Sequence, residues 1–171
     1  MILWEYFRNK GKGLISFAES ESTLSETKIK EIFKKATEKI SKSAINVIKE
    51  RKGREEELYP LYVREFLNRG FQVTVQGGFY KELVELQPDE KYPDFRVDLV
   101  IAENGNLTGI EVKGPSIDRG WSIEGKEVKK DKEKLKKLLN LGYIHRGFFV
   151  GILFNKETNE FEVYVKEITK S

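Results

Sequence analysis

"PDFRVDLVIAENGNLTGIEVKGP", residues 93–115, holds two apolar, strand-like runs on either side of Asn104-Gly105. Asn-Gly suits a two-residue hairpin turn because both central positions need positive φ. A turn centred there predicts strands near 95–102 and 107–113, with Glu103 facing Asn106, Asp98 facing Glu111 and Arg96 facing Lys113. Side chains alternate along a strand, so these four charged residues share one face. Val97, Leu99 and Ile101 share the other with Ile110 and Val112. Like charges placed opposite each other destabilise a sheet. Two carboxylates held that close make sense around a divalent cation, beside a lysine that meets charge developing on a phosphate.

Upstream, Thr23 followed by Glu26 resembles a capping box. It opens an apolar stripe, Ile29, Ile32/Phe33, Ala36, Ile40, Ala44 and Val47/Ile48, that predicts a long helix over 24–52. Gly53 breaks it, and a second helix is expected from Arg54 to Asn68, with Pro60 near its first turn and Gly70 as its stop. Phe71–Val75 alternates as a strand until Gly77-Gly78, and 79–92 favour neither state. Leu14–Phe17 reads as a short strand.

Downstream, residues 114–125 form a Gly/Pro-rich connection whose Arg119 and Trp121 suit a substrate loop or a packing anchor. A helix is expected at about 126–140 on the stripe Val128, Asp131/Lys132, Leu135 and Leu138/Leu139. Its lysines, 126, 129, 130, 132, 134, 136 and 137, either track a phosphate backbone or form a solvated face, the second being the default. Phe148–Phe154 is a continuous apolar run that predicts a buried strand, and Phe161–Val165 alternates like an edge strand. His145 reads as a turn residue. The order α-α-β-β-β-α-β-β gives an α/β layered fold with a mixed sheet.

The chain has 171 residues, enough for one domain with a real core. It has no cysteine, which excludes disulfides, thiolate metal sites and cysteine nucleophiles. A single histidine excludes a multi-histidine metal site. Any metal must therefore be held by oxygen, which favours hard ions such as Mg²⁺ or Mn²⁺. The net charge of +3 is compatible with a nucleic-acid partner. No apolar run approaches the length of a membrane span and the start lacks a signal-peptide core, so the expectation is an intracellular (cytoplasmic) protein with no membrane partner.

The pattern P-D…R-V-D-L-V-I…G-I-E-V-K-G resembles the PD-(D/E)XK nuclease superfamily over roughly residues 54–155. The resemblance implies a restriction-endonuclease-like mixed β-sheet flanked by helices. It suggests a single domain, 1–171, with a nuclease-like core at 53–171 and an N-terminal extension with a long helix at 1–52. It implies Mg²⁺ (or Mn²⁺) bound by Asp98, Glu111 and the Val112 carbonyl, and a Lys113 that positions or activates the attacking water. The literal Pro93-Asp94 pair offers Asp94 as the motif aspartate, but the hairpin register sets Asp94 opposite Pro115, beyond the second strand, and favours Asp98.

A helical glutamate is also implied. Glu55, Glu56, Glu57 and Glu65 are candidates, and Glu57 is chosen because it adjoins Leu58 and stacks one turn below Leu61. The expected function is a metal-dependent DNA endonuclease, as a homodimer if both strands of a duplex are cut. The alternative is a non-catalytic nucleic-acid-binding or assembly module of the same fold.

Overall fold

In the computed structural model, which describes residues 24–50, 55–77, 96–117 and 125–171, Asn104 and Gly105 adopt φ of 50° and 78°. These are the angles of the tight hairpin turn that Asn-Gly favours. The turn joins β2 (Val97–Glu103) to β3 (Asn106–Ile117), and Glu103↔Asn106, Ile101↔Thr108 and Leu99↔Ile110 pair in the expected register.

With β1 (Gln72–Gly77), β4 (Arg146–Asn155) and β5 (Glu160–Ile168), these strands form a mixed sheet in the order β1-β2-β3-β4-β5. Only β3 and β4 run parallel. Parallel neighbours need a crossover, and the helix Lys126–Asn140 supplies it. Helices cover both faces of the sheet, which is why β4 is apolar on successive residues rather than alternating.

The stripe expected as one helix over 24–52 is two helices, α1 (Glu26–Thr37) and α2 (Lys42–Lys49). Ser41 divides them, because its hydroxyl accepts from the Ala44 N–H at 3.2 Å and so starts a new helix. Ser25 caps α1 in the same way, by accepting from the Lys28 N–H. Next come a 3₁₀ turn, Glu55–Leu58, and α3 (Tyr59–Asn68), with Pro60 in the first turn where its missing N–H costs nothing. The crossover helix is α4.

On one face α1 and α3 pack Ile29, Ile32, Phe33, Tyr62 and Phe66 against Leu99, Ile110, Val112, Phe148 and Val150. Helix α1 lies within the main core. It is pinned to the sheet at its start, where the Arg146 guanidinium donates to the Leu24 carbonyl and the Glu167 N–H donates to Glu26 at 2.7 Å. Lys39 pairs with the buried Glu65 of α3, so that acid serves the helix packing.

On the other face α4 packs Leu135, Leu138 and Leu139 over Val97, Val100 and Leu107. Val97 therefore departs from expectation: it belongs to the α4 side, not beside Leu99. Leu14–Phe17, Thr23, Gly53, Gly78, residues 79–92, Asp94, Arg119 and Trp121 lie outside the described residues. Among the described residues no helix is long and apolar enough to cross a membrane.

Candidate active site

The site begins where the β2–β3 ladder stops. The last backbone pair is Leu99↔Ile110, and one step further the Asp98 carboxylate, rather than the β2 backbone, accepts the Val112 N–H at 2.8 Å. Two residues on, the Gly114 N–H donates to the Glu55 carboxylate at 2.9 Å. Two acids therefore stand where the neighbouring strand would have continued. The N–H and C=O of a strand residue point to the same neighbour, so the Val112 carbonyl is directed to this side as well.

Beyond Lys113 the register of β3 on β4 shifts, and Gly114 takes φ of 95°, a left-handed angle that glycine tolerates. That bend carries the Gly114 N–H to the 3₁₀ turn bearing Glu55.

Glu111 lies between two apolar neighbours on β3 and points to the α4 side. It is 3% exposed, and the Lys134 ammonium sits 2.7 Å from its Oε1. Loss of solvent, then the charge of Asp98, pushes the Glu111 pKa up to about 9, against the opposing pull of Lys134. Burial likewise raises Glu55, although the Gly114 bond and Lys113 work against it. Asp131 of α4 is also raised, by burial first, and lies within electrostatic reach of Lys113, Lys134 and Asp98.

Burial alone would lower Lys113. The carboxylates Glu55, Asp131 and Glu127 outweigh it and hold the ammonium above its ordinary range. Glu127 makes the direct contact, 3.3 Å from Nζ. The Tyr59 hydroxyl, held protonated by burial and by Asp98, completes the group with a hydrogen bond to Asp98.

The structure thus brings Asp98 and Glu111 together and links Lys113 to them through Glu55 and Asp131. It does not bring Glu57, which is exposed in the 3₁₀ turn, or Glu56, also exposed; the acid that reaches the site from this segment is Glu55. The buried side of a 3₁₀ turn differs from that of an α-helix, so helical stacking below Leu61 selected the wrong neighbour. Tyr59, Asp131 and Lys134 were not expected as site residues. Asp131 and Lys134 do flank the stripe Val128, Leu135, Leu138 at a spacing of three, a signal that they reach the sheet edge.

His145 is the turn residue its position suggested: its Nδ1 accepts from the Leu107 N–H at 2.9 Å, at the hairpin end of β3. Among the described residues, no three His, Cys, Asp or Glu side chains form a group that would hold a metal by themselves. The donors at hand are hard oxygens around the buried Glu111 carboxyl. That chemistry fits a hard divalent cation bound by two carboxylates and a backbone carbonyl.

No family model and no curated protein matches the chain. Among solved structures, "Crystal structure of SSO0001" is similar at 17% identity and a TM-score of 0.37, over 99% of this chain and 79% of that one.

Proposed function

We propose that the protein is a metal-dependent phosphodiesterase, a DNA endonuclease of the restriction-like type. The observation that carries this reading is the replacement of β2 at the end of the ladder by Asp98, which meets the buried Glu111 there, with Lys113 joined to them through Glu55 and Asp131. Mg²⁺ or Mn²⁺ at such a site would polarise the phosphate and lower the pKa of water.

Asp98 and Glu111 would hold the ion, with the Val112 carbonyl as a further ligand. The bond from the Val112 N–H and a second from the Tyr59 hydroxyl hold the Asp98 carboxylate. Lys113, kept as an ammonium by its acidic neighbours, acts as a charge facing the phosphate and not as a base. Glu55, which accepts from the Gly114 N–H beside the group, would orient water at its edge.

The test is a panel of labelled duplex, branched and single-stranded DNA and RNA, incubated with Mg²⁺, Mn²⁺ or EDTA. Cleavage should require the divalent ion. Asp98→Ala, Glu111→Ala and Lys113→Ala should each reduce it by a factor of about 100 or more. Glu55→Gln should cost more activity than Glu57→Gln. Binding without Mg²⁺ and no cutting with it would instead make the protein a nucleic-acid-binding module.

A further inference from the structure

Lys134 is one of the lysines of α4, yet it does not belong to the solvated face. Its side chain is 22% exposed, and its ammonium contacts Glu111 Oε1 at 2.7 Å while donating to the Arg96 carbonyl at 2.8 Å. The neighbouring Leu135 is fully buried, so the helix backbone is fixed here while the lysine stem remains the part that can move.

Among the described residues, the acids Asp98, Glu111, Glu55 and Asp131 gather around this point with the ammonium groups of Lys113 and Lys134. A buried carboxylate left without a cation loses hydration with nothing in return. Lys113 leans instead toward Glu127, on the α4 side. Lys134 is therefore the cation that meets Glu111. An ammonium on a four-carbon stem is also a group that can leave: a second positive charge at the same carboxylate would repel it, and solvent lies close by.

We propose that Lys134 is the resident partner of the Glu111 carboxyl, holding it in place until a divalent cation displaces the ammonium. This rests on the metal-binding reading above and adds a residue that positions Glu111 without touching substrate. It also requires the site to be closed by its own lysine when no cation is present, and Lys134 to become free when one is.

The experiment uses Mn²⁺ or Mg²⁺ alone, with no substrate. Lys134→Gln should melt lower than wild type in EDTA, recover in millimolar Mn²⁺, and bind Mn²⁺ about tenfold more tightly by calorimetry, because no ammonium competes. In the wild type, reductive methylation read by mass spectrometry should modify Lys134 several-fold faster with Mg²⁺ than with EDTA, while Lys126 is unchanged. The methylation result decides the matter even where the variant does not fold.

Equal or weaker Mn²⁺ affinity in Lys134→Gln, an equal loss of melting temperature with and without Mn²⁺, or an unchanged methylation rate would overturn the proposal and leave Lys134 a strut between α4 and β2. Failure of the wild type to bind Mn²⁺ at all would overturn the metal-binding reading with it. Binding with equal affinity in both proteins overturns the role of Lys134 alone.

Discussion

Glu111 is the residue in which folding and function pull in opposite directions. Its neighbours Ile110 and Val112 are core residues, so the strand that buries them also buries its carboxyl. The folded pKa of about 9 lies far above the ordinary 4.5. A proton retained by the folded state stabilises it fully below the unfolded pKa, and that stability is lost as pH rises through the folded value. Metal-free wild type should therefore lose stability steadily from about pH 5 to 9, at no more than about 1.4 kcal/mol per pH unit from this group. Glu55 and Asp131, also raised by burial, act in the same direction. Glu111→Gln keeps the shape and cannot ionise, so its denaturation midpoint in EDTA should fall much less across that range. Parallel curves for the two proteins would mean that Glu111 is already ionised at neutral pH.

Among the elements, α4 is set by a glycine. A Cβ at Gly109 would lie 3.1 Å from Ile144 Cδ1, 3.3 Å from Leu135 Cδ2 and 3.4 Å from Val97 Cγ1. All three side chains are buried, so they cannot all withdraw at once. Gly109→Ala should destabilise the fold by about 1–3 kcal/mol, measured by urea denaturation. It should also move Lys134 relative to Glu111, because Leu135 must give way together with Ile144. Much of this level was legible in the sequence. Asn104-Gly105 fixed the hairpin register, and the apolar run in β4 marked a strand covered on both faces. The break at Ser41 was hidden because the apolar stripe continues through Ile40 to Ala44, and periodicity cannot see a hydroxyl bonding forward to Ala44. Val97 was misplaced because alternation assumes a ladder that continues, whereas here the β2–β3 pairs end at Leu99. The spacing of Asp131 and Lys134 beside the apolar stripe of α4 places them near the sheet, but it does not say which of the helix's lysines pairs with Glu111.

On the scale of the whole fold, the charged groups at this edge of the sheet, among the described residues, separate into two sets. Carboxylates gather in the site, where they repel phosphate unless a cation intervenes, while Lys126, Lys129 and Lys130 are exposed on the N-terminal half of α4. The same half carries Glu127, which reaches Lys113, so these lysines adjoin the site. A polyanion drawn to them would pass beside Asp98 and Glu111. On the proposed function, they supply the sequence-independent part of DNA binding, and Lys134, turned inward, contributes nothing to it. Replacing Lys126, Lys129 and Lys130 with Gln should weaken binding to all duplex sequences alike. The slope of log K against log salt should become shallower by about 0.9 for each phosphate that is no longer neutralised. Lys134→Gln should leave that slope unchanged. Both can be read by fluorescence anisotropy with a labelled duplex over a salt series, with the Asp98→Ala background preventing cleavage. A slope indifferent to the triple substitution would reduce this face of α4 to a solvated surface, and a slope that responds to Lys134 would return that residue to it.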